Sequence, residues 1–300
     1  MRTRIILAIS IGALASAIAL PASAQSQKAL VERGKYLVNG PVACGNCHTL
    51  HGPDLRPIAS KYLAGGWKIP SPVFVAYPRN ITPDKDTGIG SWTDAQVIRA
   101  IRECVNKEGK TLGPPMPCDF YSKMSDGDVK AIVAYLRTIK PIHNEVPESQ
   151  YKIPLKPEPP VKDVVAPPKS DKVAYGRYIV TISHCMECHT PLVGPKRDLE
   201  NQLGAGGFKI NYDGTIITTR NITSDKETGI GGWTDAQIKR AITKGIDKDG
   251  KQLIPLMPYP YLKNIAAADL DAVVAYLRTV PPIKKKNEPN PTLQSLLQKK

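Results

Sequence analysis

Cys44-Gly45-Asn46-Cys47-His48 recurs as Cys185-Met186-Glu187-Cys188-His189, 141 residues further along the chain. The same displacement carries Arg79-Asn80-Ile81-Thr82 onto Arg220-Asn221-Ile222-Thr223, and Trp92-Thr93-Asp94-Ala95-Gln96 onto Trp233-Thr234-Asp235-Ala236-Gln237. It also carries Ala134-Tyr135-Leu136-Arg137-Thr138 onto Ala275-Tyr276-Leu277-Arg278-Thr279. A long, constant period is the mark of one folding unit used twice. The units are placed at residues 25–140 and 171–283. Between them, 141–170 contains Pro147, Pro154, Pro157, Pro159, Pro160, Pro167 and Pro168, a density that excludes helix and predicts a stiff, extended linker. Residues 284–300 open on Lys284-Lys285-Lys286, have no counterpart in the first repeat, and are expected to run over the surface as a basic tail.

Within each unit the patterning predicts a mainly α fold. A first helix is expected near Gln27–Val38 and again near Asp171–Val180, with Gly34 and Gly176 as points where a crossing helix approaches closely. A second helix follows each Trp, announced by the capping boxes Thr93-x-x-Gln96 and Thr234-x-x-Gln237. The last helix carries Val129, Ile132, Val133 and Leu136, repeated as Leu270, Val273, Val274 and Leu277, the i, i+3, i+4, i+7 stripe of a half-buried helix. Strand signals are scarce, and the best is Thr215–Thr219.

A short Cys-x-x-Cys turn followed by His places two thiols where the two vinyl groups of one haem can react, and carries an imidazole beneath the porphyrin to the iron. A redox disulfide or half of a zinc site would also use Cys-x-x-Cys, but neither accounts for the His after both motifs. The reading is therefore two covalently bound haem c groups, one on Cys44, Cys47 and His48, the other on Cys185, Cys188 and His189.

The order of helix, Cys-x-x-Cys-His, long loop, helix, Met-Pro loop and final helix resembles the class I c-type cytochromes over nearly all of both repeats. The phrase Asn-Ile-Thr-x-Asp-Lys-x-Thr-Gly-Ile-Gly-x-Trp-Thr, at Asn80–Thr93 and Asn221–Thr234, is similar to one in haem c subunits of periplasmic or membrane-bound dehydrogenases. The resemblance implies two tandem class I cytochrome c domains joined by the Pro-rich linker. It implies an electron carrier between a dehydrogenase donor, or its quinone pool, and a cytochrome or oxidase acceptor, rather than an enzyme. Those subunits often carry three haems or a C-terminal anchor, and two haems are read here.

The sixth iron ligands are chosen by the repeat. Met116 and Met257 are 141 residues apart and each precedes a proline, whereas Met124 and Met186 align with Ile265 and Gly45. In class I cytochromes the axial Met lies in such a loop, and His/Met ligation suits a carrier. The plainer alternative makes both methionines core fillers. Arg79 and Arg220 are candidate partners for haem propionates, with Asn80 and Asn221 beside them, and Trp92 and Trp233 could add indole donors; plain core or solvated roles stand against this. His51, His143 and His184 have no His partner in the other repeat, and surface roles are expected. Cys104 and Cys118 align with Gly245 and Tyr259. In an oxidising compartment they are expected to form a disulfide bracing the Met116 loop. The alternative, Cys118 as a thiolate ligand, would keep open a sulfur-oxidising di-haem enzyme; a di-haem peroxidase is the other rival.

Met1–Ala24, with Arg2 and Arg4, the apolar run Ile5–Leu20 and Ala22-Ser23-Ala24, reads as a signal peptide cleaved after Ala24. The run is shorter than the ~20 residues of a spanning helix. The expected destination is the periplasm, with no membrane span in the mature chain. The net charge of +14 in an exported protein points away from nucleic acid and toward an acidic redox partner, or simply toward solubility. Residues 25–140 hold sixteen Lys and Arg against ten Asp and Glu, and residues 171–283 fourteen against twelve. The first repeat is therefore expected to meet the acidic partner.

Overall fold

The computed structural model describes residues 22–52, 56–194, 196–212, 214–254, 256–292 and 294–295. The expected leader lies outside the described residues except for Ala22–Ala24, as do Leu296–Lys300 of the tail. The first repeat contains α1 (Ala22–Asn39), the single turn α2 (Gly45–His48), β1 (Ile69–Ser71), β2 (Phe74–Ala76), α3 (Asp94–Glu103), the single turn α4 (Cys118–Tyr121) and α5 (Asp126–Leu136). After β3 (Gln150–Tyr151) the second follows as α6 (Lys172–Ile182), α7 (Cys185–Cys188), the hairpins β4 (Leu192–Val193) with β5 (Lys196–Arg197) and β6 (Lys209–Tyr212) with β7 (Thr215–Thr218), then α8 (Asp235–Lys244), α9 (Tyr259–Leu262) and α10 (Ala267–Thr279). The regular structure of the described residues is mostly helix, about a third of the chain, with three small antiparallel sheets. No helix among them is long and apolar enough to cross a membrane.

Local sequence accounts for these elements. At the start of α3 the Thr93 hydroxyl accepts from Gln96 N at 3.2 Å while Gln96 Oε1 accepts from Thr93 N at 2.9 Å, and Thr234 with Gln237 repeats the box on α8. Two orphan amides are satisfied at each helix start. The last helices bury the expected stripe: Val129, Ile132, Val133 and Leu136 on α5, and Leu270, Val273, Val274 and Leu277 on α10. Each last helix crosses its first helix at a glycine. A Cβ on Gly34 would lie 1.8 Å from the Ala131 carbonyl oxygen, and one on Gly176 1.8 Å from that of Ala272, so only glycine allows the backbones to approach this closely.

The halves share one continuous cluster of buried side chains, with Leu37, Met124 and Ile132 from the first and Tyr175, Ile179 and Val273 from the second. Across it runs a reciprocal pair of hydrogen bonds. Tyr36 Oη donates to Asp269 Oδ2 at 2.8 Å, and Tyr178 Oη donates to Asp128 Oδ2 at 2.6 Å. Each buried carboxylate is also met by a cation, Arg33 on Asp128 at 2.8 Å and Lys169 on Asp269 at 3.0 Å. Ionised groups this deep must be paired in this way.

Residues 141–170 hold no helix, and they run along the first half with their backbone bonded to it. Ile142 O accepts from Asn80, Val146 O from Arg79, β3 pairs with β2, and Val164 O accepts from Asp126 N. Residues 283–290 trace a matching path in the second half: Ile283 O accepts from Asn221, Glu288 O from Arg220, and Asn290 bonds Thr218. The lysine-rich opening of the tail thus has a spatial counterpart in 142–149 although the residue types differ.

Candidate haem-attachment sites

Both Cys-x-x-Cys-His motifs are entered through a non-glycine residue in the left-handed region, Ala43 at φ 51° and His184 at φ 42°. That conformation costs about 1 kcal/mol for an L-residue and turns the chain sharply into α2 and α7. The four motif cysteines are half-buried and are not joined in disulfides. Burial pushes all four up to about 12, so none is a poised thiolate near neutral pH.

The histidines are oriented identically. His48 Nδ1 lies 2.7 Å from the carbonyl oxygen of Arg79, and His189 Nδ1 lies 2.7 Å from that of Arg220. A carbonyl can only accept, so Nδ1 carries the proton and Nε2 keeps its lone pair. Burial lowers the basicity of both rings and favours the neutral form. A neutral imidazole fixed at one nitrogen and bare at the other is what a metal ligand requires. This residue set, with two thiols and one such imidazole per motif, fits a covalently attached haem.

Met116 and Met257 occupy the same turn before a one-turn helix. Met116 O accepts from Cys118 N at 3.0 Å, and Met257 O accepts from Tyr259 N at 2.8 Å. Both side chains are half-buried, Met116 against the shared core and Met257 against the cluster of Leu262, Ile265 and Leu270.

Cys104 and Cys118 are joined, with Cα atoms 5.7 Å apart. The bond ties the end of α3 to the residue two places after Met116 and withdraws both sulfurs from any ligand role. The second half solves the same local problem without sulfur. Position 104 is left-handed at φ 54° and its counterpart Gly245 at φ 64°, and a Cβ on Gly245 would lie 2.7 Å from the Tyr259 ring, which covers the place of the disulfide.

The remaining candidates have definite partners. The Arg79 guanidinium donates to Val146 O at 2.9 Å and Pro147 O at 3.1 Å, and Arg220 donates to Glu288 O at 2.8 Å. Asn80 donates to Thr87 and Ile142 and accepts from Thr82, and Asn221 does the same with Thr228, Ile283 and Thr223; both are loop-tying residues. Trp92 and Trp233 pack on the shared core, and their carbonyls accept from Arg137 and Arg278. His51 lies against Trp67 with centroids 4.5 Å apart and ring planes tilted by 49°, His143 faces Asp84 at 3.6 Å, and His184 pairs with Glu187 at 2.9 Å.

Two contacts that side-chain patterns do not announce bring the motifs toward each other. Tyr261 of α9 lies over Gly45 of the first motif, where a Cβ would come 2.4 Å from its hydroxyl. Tyr121 of α4 stands edge-on to His184 at the second motif, with centroids 5.9 Å apart. Each half sends a tyrosine to the other's attachment turn.

No family model matches the chain. It is 31% identical over 283 residues to the fructose dehydrogenase cytochrome subunit of Gluconobacter japonicus, covering 87% of this chain and 54% of that subunit. It is 31% identical over 296 residues to the gluconate 2-dehydrogenase cytochrome c subunit of Pantoea cypripedii, covering 92% of this chain and 64% of that one. A di-haem c-type cytochrome of Cereibacter sphaeroides is 28% identical over 256 residues, with 80% of this chain and 83% of that protein covered. The chain thus spans between about half and two thirds of the two dehydrogenase subunits. Sequence and site together make the chain a homologue of the cytochrome c subunits of dehydrogenases and of a di-haem cytochrome c.

Proposed function

We propose that the chain carries two covalently bound haem c groups and relays electrons in the periplasm between a dehydrogenase, or its quinone pool, and a cytochrome or oxidase acceptor. The observation that carries this reading is the pair of 2.7 Å bonds fixing His48 and His189 at Nδ1, at equal distance along the two repeats. They leave Nε2 as the one ligating atom of each ring. The repeats are read as tandem class I cytochrome c domains, 25–140 and 171–283, with 141–170 as connecting segment. Bound haem supplies reversible one-electron chemistry at iron.

The chain's residues have the following parts. Cys44 and Cys47, and Cys185 and Cys188, supply thioether sulfurs. His48 and His189 would each bind the iron through Nε2, and Met116 and Met257 would each offer a sulfur as a second protein ligand, so that the iron would stay held by protein atoms in both oxidation states. Arg79 and Arg220 orient the histidines through their carbonyls, and their unspent guanidinium donors are offered to propionates. Trp92 and Trp233 wall the sites. The basic first half meets the acidic partner.

Ligation is tested by the weak far-red band of methionine-ligated ferric haem. Two such bands are expected, with Met116→Ala and Met257→Ala each removing one; a spectrum unchanged by either substitution would overturn that assignment.

A further inference from the structure

Glu187 sits inside the second Cys-x-x-Cys, where the first half has Asn46. Its side chain is 17% exposed. Its carboxylate is fixed by two cations of its own half, His184 Nδ1 at 2.9 Å when protonated and Arg197 Nη2 at 3.9 Å. His184 in turn is covered by Tyr121 of the first half, whose hydroxyl donates to Val42 O at 3.4 Å, two residues before Cys44. A half-buried carboxylate is thus held on the side of the second motif that faces the first.

We infer that Glu187 is a shared potential-setting residue, whose fixed negative charge disfavours the arrival of an electron at either attachment site. This rests on the proposal that both motifs carry haem. An electron taken up at a site adds one negative charge there, and a nearby anion in a poorly solvated place opposes it. Through His184 the carboxylate adjoins Tyr121, which bonds Val42 O two residues before Cys44, so its charge is held toward the first motif as well as within the second. Asn46 exerts no such field, so the effect is one-sided in origin and two-sided in reach. Glu187→Gln removes this one negative charge, so both sites feel a change of the same sign.

The test is a potentiometric titration of the full-length holoprotein, wild type against Glu187→Gln and Glu187→Asp, resolved into two one-electron waves. With Glu187→Gln both waves are expected to move to higher potential. One should change the oxidised-to-reduced ratio at fixed ambient potential about tenfold, or about 59 mV for one electron, and the other about threefold. Glu187→Asp should keep both waves near their wild-type positions, and the shifts should persist in high salt, because the charge is partly buried. Movement of a single wave, or of neither, in protein that still holds two haems overturns the inference. A haem count below two instead overturns the reading on which it rests.

Discussion

The phenol of Tyr178, on the first helix of the second half, donates to Asp128, on the last helix of the first half, at 2.6 Å. Tyr36 and Asp269 form the same bond in the opposite sense at 2.8 Å. The arrangement is that of a two-fold interface within one chain, where each half offers what the other accepts. Because Tyr121 and Tyr261 cross near the attachment turns, this interface also fixes how the two motifs face each other.

Removing either phenol leaves a buried carboxylate short of a donor. Tyr178→Phe and Tyr36→Phe should each cost about 1.5–3 kcal/mol, the range for hydrogen bonds to charged groups. Asp128 keeps Arg33, and Asp269 keeps Lys169 and Tyr175, which holds both toward the lower end. Denaturant titration reads the cost; a change under about 0.5 kcal/mol in both, the range of ordinary surface substitutions, would show that the interface rests on apolar packing alone.

The helix crossings give a sharper effect. Gly34→Ala and Gly176→Ala place a methyl carbon on a backbone oxygen that cannot yield without moving α5 or α10. Each should destabilise by about 3 kcal/mol or more, at or beyond the upper end of overpacking costs. Gly127→Ala and Gly109→Ala are controls with open space at the Cβ, and Gly109 adds a φ of 80°. Thermal unfolding should therefore rank Gly127→Ala mildest.

The Met116 and Met257 loops should differ in their response to reductant. Cys118→Ser, or reduction, should cost about 2–4 kcal/mol and loosen the first loop, and leave the second, where Tyr259 covers Gly245, unchanged. Non-reduced peptide mapping should find Cys104 joined to Cys118, and hydrogen exchange should show the loosening confined to residues near Met116.

Acid should act on both long loops alike. Thr87 N–H and hydroxyl hold the Asp84 carboxylate below the usual range, and Thr228 does the same to Asp225. With the folded values depressed, the stabilisation is complete above the unfolded carboxylate range and is lost as pH falls through the folded values. Carboxyl NMR titration should find both groups ionising below a free Asp, and Asp84→Asn should remove the first step. A free-Asp value at both would contradict the bonds.

Much of this was legible in the sequence because it depends on residue type at fixed spacing: the capping boxes at Thr93 and Thr234, the stripes on α5 and α10, the strand found at Thr215–Thr218, and the unmatched pair Cys104 and Cys118. The Tyr–Asp reciprocity was hidden. Gly34 and Gly176 match at a spacing of 142 rather than 141, because one residue is missing between the first helix and the second motif, so Tyr36 and Tyr178 fall out of register in a fixed-shift comparison. The carbonyls of Arg79 and Arg220 were hidden for a different reason: a backbone oxygen has no residue-type signal. The proline-dense 141–170 predicts extended chain, yet its attachment to Asn80, Arg79 and β2 depends on partners that only the fold brings near.

Whether each repeat holds one covalent haem is decided by haem stoichiometry. Purified protein should give two haems per chain in a pyridine haemochrome assay, both resisting acid–acetone extraction, with Cys47→Ala and Cys188→Ala each disturbing only its own half's haem. One haem per chain, or haem released by acid–acetone, would show that the two repeats do not each hold a covalent haem.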